Sequence, residues 1–353
     1  MSRTAPRRRA ERPPSRRSRA AAALRARTER IASSRAPVVG WAVLVAAGMA
    51  GLAACTLDVG PDWIGGAGAV AVATAYSWAL AARTGGRPVV VGLLAVALGT
   101  VAVVSDDDSL RTGAAVLTTV VTAVLAVMST VPAVRFVHAV REVLVAVLVA
   151  VVGAVAVVGF EPAVTLARFE YTTLGLSLLG AFAIIYRLGA GLHGLGRRGF
   201  VTVLLGSVVL AVTLAYAELL RRYGTPALMD HVLDGVGWSR EHLGAFPRPL
   251  ETVLGVPALA WGTHMRARRR QGWWVCAFGV AAATPIVNAL VNPALTLQEA
   301  ALSVGYGVVV GLLIGFVVIR LDLAVTGSSG RRGRRAEEAM ALRPEPPRTR
   351  PLL

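Results

Sequence analysis

The sequence predicts an all-α polytopic transmembrane helix bundle of about ten spans with both termini cytoplasmic. Three observations carry that expectation. Hydrophobic residues make up 55% of the 353, and the mean hydropathy of +0.62 lies far above that of soluble domains. The apolar residues fall into runs of spanning length divided by short polar stretches. Arginine is distributed unequally over alternate loops. All 37 basic residues are Arg, and Ala, Val, Leu and Gly dominate, a bias expected of a high-GC bacterial genome and hence of a plasma-membrane protein.

Taken in order, residues 1–36 hold 12 Arg among Pro, Ser and Ala, which predicts a disordered basic cytoplasmic tail. Pro37 to Leu57 follows, 21 apolar residues that span about 30 Å as a helix. Within it Leu52-Ala53-Ala54-Cys55 matches a lipoprotein cleavage site, and Ser15-Arg16-Arg17 resembles a twin-Arg signal. Arg-rich residues 18–35 separate that pair from the apolar run, so a spanning helix is expected. Further runs cover 62–82, 88–104, 112–131, 143–160, 172–188, 200–220, 250–264, 272–291 and 298–321. The third and eighth, of 17 and 15 residues, are short and rely on local thinning of the bilayer. The transmembrane domain thus covers 37–323, and 324–353 forms a second disordered basic tail. Cys55 and Cys276 fall at opposite membrane faces, too far apart for a disulfide.

Orientation follows from charge. With the N-terminus inside, 31 of the 37 Arg are cytoplasmic, and the outer side receives only Arg111, Arg168, Arg221, Arg222, Arg240 and Arg248. The outer loops collect 13 of the 20 acidic residues, so they sum to −7 against +24 inside. Trp41, Trp78, Trp261, Trp273 and Trp274 gather at the inner boundary, and Trp63, Tyr171, Tyr216 and Tyr223 at the outer one.

Helix packing is legible in the last span, where Gly307, Gly311 and Gly315 repeat every fourth residue on one face. The expected use is close packing inside the bundle, with a homodimer seam as the alternative. Pro257 and Pro285 are expected to kink the eighth and ninth spans, and with Asn288 they are candidates to line a cavity.

The sequence excludes more chemistry than it offers. No P-loop, HExxH, GxSxG or CxxC occurs, so no catalytic residue, metal site or cofactor is assigned. Acidic residues such as Glu142, Glu218, Glu251, Glu299 and Asp322 fall at span ends, which speaks against an ion-coupled pump. His138, His193 and His264 sit at the cytoplasmic boundary as interfacial residues. The stretch 186–199 is glycine-rich but lacks a preceding strand and a following Lys-Ser/Thr, so a flexible turn is expected. That stretch and Arg268 to Gly279 resemble uncharacterised multi-pass membrane proteins of the actinobacterial type. The likeness implies a helical membrane fold over spans six to ten and no activity. The tails lack aromatics for base stacking, so their expected partner is anionic lipid and not nucleic acid.

The longest polar interruption is Tyr223 to Glu251. Pro226 opens an amphipathic helix with Leu228, Val232 and Val236 on one face, expected to lie on the outer surface, to break at Gly235 and Gly237, and to resume over 238–243. Asp230, His231 and Asp234 offer a candidate outer-face ligand set, though a solvated polar face accounts for them as well. Arg240, His242 and Arg248 are candidates for an anionic headgroup, with ion pairs to Glu218, Glu241 and Glu251 as the alternative. Three functions follow from these features. A non-catalytic membrane protein binding lipid or an envelope partner leads, ahead of a transporter of a neutral solute or lipid and an envelope enzyme acting on a lipid-linked substrate.

Overall fold

The computed structural model describes residues 35–105, 107–190, 192–224, 226–269, 271–326 and 345–352. The basic tail before residue 35 and the stretch 327–344 of the second tail lie outside the described residues. The chain divides into two compact units, residues 1–43 and 44–353. Of the first, the described part is the beginning of a helix; all packing below belongs to the second.

Among the described residues every regular element is helical. The helices are α1 (Ala36–Thr56), α2 (Trp63–Arg83), α3 (Pro88–Val104), α4 (Asp108–Met128), α5 (Phe136–Val158), α6 (Leu166–Ile185), α7 (Leu192–Tyr223), α8 (Pro226–Leu243), α9 (Val256–Arg266), α10 (Gly272–Ala277), α11 (Val280–Val291) and α12 (Leu297–Thr326). Among the described residues eight segments are long and apolar enough to cross a membrane, with α10 and α11 counted together. The other two predicted spans are shorter: α3 has 17 residues, and the eighth is split between α9 and a π turn over Leu250–Gly255.

Backbones approach closely wherever glycine removes the Cβ. A Cβ on Gly68 would meet the Gly48 carbonyl oxygen at 2.6 Å, which holds α1 against α2. The α2/α3 hairpin is antiparallel, since Gly66 meets Val103, Gly99 meets Val70 and Gly92 meets Trp78. In lipid such contacts replace the hydrophobic drive that water would provide. The segment α10–α11 is the most enclosed span, buried over almost its whole length.

The ends of the helices sort into two groups. At one end Ala133 N donates to Thr263 O at 3.0 Å, and His264 Nδ1 donates to Ala133 O at 3.1 Å. At the other, Arg111 pairs with Glu161 at 3.4 Å, and Thr112 Oγ1 donates to Ala163 O at 3.2 Å. Loops that the Arg count assigns to one side of the membrane therefore meet one another.

Three local expectations need correction. Helix α8 runs unbroken through Gly235 and Gly237; each glycine weakens a helix by about 1 kcal/mol without ending it, and no side chain stands within 4 Å of either missing Cβ. The expected flexible turn at 186–199 is helical, as a π turn over Tyr186–Ala190 and then the start of α7. Residues 345–352 of the predicted structureless tail are instead bonded to the helical body, because buried arginines and a buried glutamate there need partners.

Candidate functional site

The site begins with Pro257. Proline has no N–H to donate and its ring crowds the carbonyl four residues before it, so the helix cannot close normally at this point. The chain widens instead into the π turn Leu250–Gly255, in which Val256 N donates to Glu251 O. Such widened turns recur at functional positions. Here the turn carries Glu251 wholly into the interior.

Two helices enclose that carboxyl. From α12, Gly307 leaves room for it: a Cβ there would lie 2.9 Å from Glu251 Cδ. Gly311 packs in the same way on Val256 and the Thr252 carbonyl, and Gly315 on Ala260 and Pro257. The predicted glycine stripe thus faces the π turn and α9 of its own chain, and α12 runs parallel to them. On the other side α9 and α10–α11 are antiparallel, with Gly262 against Cys276, Gly279 against Leu259, and Gly255 against Ala281 and Ala282. Continued by one turn, this register sets Glu251 level with Pro285 and Asn288.

Both oxygens of Glu251 are buried without a hydrogen-bond partner, and so are both polar atoms of the Asn288 amide. A buried polar group without a partner is costly, and a buried charge more so. Four such atoms thus stand on two packed elements, the π turn and α11.

Above the turn, Pro247 and Pro249 flank Arg248, which is half-buried with Nε lacking a partner. Burial lowers its guanidinium below the ordinary value; the carboxyls of Glu170, Glu251 and Glu299 oppose that shift, and Arg240 adds to it. The connection from α8 is pinned onto α12: Tyr306 Oη donates to Leu243 O at 2.8 Å, and Ser303 Oγ to Phe246 O at 2.7 Å. Arg240 pairs with Glu299 at 3.3 Å. These pins hold a roof over Glu251.

No known family matches the chain, and neither does any curated protein or solved structure. What the site does has to be read from its own geometry.

The other sequence candidates are spread out. Asp230 and Asp234 are exposed on α8, and the side chain of His231 lies outside the described residues. His242 stacks on Trp238, with ring centroids 4.9 Å apart, and its Nδ1 donates to Trp238 O at 3.0 Å. Among the described residues no three of His, Cys, Asp and Glu converge as metal ligands. An open groove of about 990 Å³ between α4 and α6, lined by Thr112, Val116, Leu117, Leu176 and Leu179, is mostly apolar.

Sequence reasoning passed over Glu251 because it stands at the end of its apolar run. The signal was Pro257 six residues later, in a stretch whose other face meets a glycine stripe. It also passed over the buried charges Arg83, Glu142 and Arg266 at the opposite end of the bundle.

Proposed function

We propose that this chain is a non-catalytic multi-pass plasma-membrane protein that takes a small cationic or hydrogen-bond-donating solute into its bundle at Glu251 and Asn288, as a transporter does. One observation carries the proposal: four buried polar side-chain atoms without partners, on two neighbouring segments that each carry a proline. Ionisable groups inside a membrane domain mark solute and ion pathways as a rule, because their burial is otherwise unfavourable. Discontinuous helices supply polar backbone at such sites, and here the π turn provides the discontinuity, while α11 runs unbroken through Pro285. The chemistry of the site favours a positively charged or donor-rich ligand, since Glu251 offers acceptors and Asn288 one acceptor and one donor group. Arg248 stands at the roof and is not bonded to Glu251, so both carboxylate oxygens are left for the ligand.

The excess of Arg in loops at the Arg83 end supports placing that end in the cytoplasm. Glu251 then faces the outer half of the membrane, and both termini are inside. The basic stretches of the tails suit anionic lipid of the inner leaflet.

Flux into proteoliposomes tests the proposal, with sodium, potassium and proton gradients as probes. Wild-type protein is expected to dissipate at least one gradient, and Glu251→Gln and Asn288→Ala to slow it tenfold or more. Native mass spectrometry of the same samples detects solute that is retained without being moved. No flux and no retained solute, or equal behaviour of wild type and Glu251→Gln, would overturn the proposal.

A further inference from the structure

The Arg83 end of the bundle holds a second buried polar cluster, and its occupant comes from the chain itself. Residues 345–352 bond to residues of α2, α5 and α9. Arg266, fully buried, donates Nη1 to Thr130 Oγ1 at 2.7 Å and Nη2 to Thr130 O at 3.1 Å. Its guanidinium also pairs with the Glu345 carboxylate and stacks 3.5 Å from the Trp273 ring. In the reverse sense Arg348 of the segment donates to Glu142 at 2.7 Å. Glu142 is fully buried as well; it accepts from Val131 N at 2.8 Å and pairs with Arg141 at 2.9 Å. Arg83 gives Nε to Met128 O at 3.0 Å and Nη1 to Pro347 O at 2.9 Å, and Leu352 N donates back to Arg83 O at 2.8 Å.

This pairing is reciprocal. The segment brings an acid to a buried base and, three residues on, a base to a buried acid. Pro346 and Pro347 between them fix the backbone in a narrow range and leave their carbonyls free to accept. Without the segment, Arg266 loses Glu345, the only carboxylate bonded to it among the described contacts, Arg83 loses the Pro347 carbonyl, and Glu142 keeps only Arg141 as an ion-pair partner. Removing one partner from a buried ion pair is strongly destabilising. The cleft is thus built for a ligand of this charge pattern.

We propose that this cleft is a peptide-binding site whose ligand is a segment of Glu-Pro-Pro-Arg chemistry, filled here by residues 345–352, and that its occupation fastens α2, α5 and α9 together. The site recognises side chains and carbonyls and does not require covalent connection, so it accepts the same segment supplied separately. This proposal does not depend on the Glu251 site.

The test uses the full chain with Glu345→Lys and Arg348→Glu, which mismatches its own segment and leaves every cleft residue in place. A fluorescent synthetic peptide of residues 343–353 is expected to bind this variant saturably. A peptide carrying the same two substitutions has the same net charge and is expected to bind at least tenfold more weakly. Unaltered protein is expected to bind the native peptide at least tenfold more weakly than the variant does, since its own segment competes at high effective concentration. Absence of saturable binding to the variant, or equal binding of the two peptides, overturns the proposal. Hydrogen exchange on the unaltered chain gives a reading that does not depend on the variant's folding. The Leu352 amide is expected to exchange at least tenfold more slowly than in the free peptide, and equal rates overturn the proposal too.

Discussion

At Gly307 one hydrogen atom decides whether Glu251 has room. A methyl there would stand 2.9 to 3.1 Å from the carboxyl atoms, closer than packed carbons allow. Gly307→Ala is therefore expected to destabilise the protein by about 1–3 kcal/mol, the usual range for overpacking. Glu251→Ala in the same chain should relieve most of that loss, and thermal melts of the two single variants and the double variant give the coupling. Asp107 offers a residue-scale test of a different kind. Its carboxylate caps α4 by accepting from Ser109 N at 2.7 Å and Leu110 N at 3.1 Å. Those bonds, that from Leu110 foremost, hold its carboxyl below the ordinary value of 3.8. A lowered folded value means that the stabilisation is full above the ordinary value and is lost as pH falls through the folded one. The melting difference between wild type and Asp107→Ala should thus be constant near neutral pH and shrink only in strong acid.

Elements show where sequence periodicity suffices and where it does not. The spanning helices were legible because each buries or exposes a whole apolar run, and lipid punishes any other backbone arrangement. Helix α8 was legible in its start at Pro226 and its end at Leu243, yet not in its continuity. A glycine read one residue at a time looks like a break, whereas a helix pinned at its far end tolerates two. At Gly235 and Gly237 a Cβ would meet nothing within 4 Å. Alanine at either position should stabilise α8 by about 0.5–1 kcal/mol, seen as slower hydrogen exchange across 226–243. The π turn was not legible, because hydropathy counts residues and not the carbonyl that Pro257 displaces. Replacing Pro257 with Ala restores an N–H. It should let the turn close toward a regular α-helix, rotate Glu251 out of its place, and reduce any solute retention seen by native mass spectrometry.

On the scale of the whole molecule, charge counting grouped the loops, and the structure brings the members of each group together: Ala133 reaches Thr263 and His264 at one end, and Arg111 reaches Glu161 at the other. A reporter active only outside the membrane is expected to be active when fused after Asp107 and inactive after Arg87; the reverse pattern would invert the topology. Contacts between distant charges stayed hidden from the sequence. Arg83 and Arg266 look like ordinary inner-boundary arginines until Glu345 is found beside Arg266, 79 residues further along the chain. Only the fold makes that meeting.

Helix α12 shows what its repeat permits. Glycine recurs at 307, 311 and 315, and the residue one step earlier in the series is Ser303. A translation of four residues, about 6 Å, would nonetheless put a side chain where a glycine now packs, Ile319 in place of Gly315 or Ser303 in place of Gly307. Moved toward the Glu251 end, the helix would set Gly311 where Gly307 stands and leave the carboxyl as bare as before. Moved the other way, it would press the Cβ of Ser303 against the Glu251 carboxyl, where a Cβ has no room, and would release Phe246 O as well. The stripe thus admits one register, in which α12 gives Glu251 room and no donor.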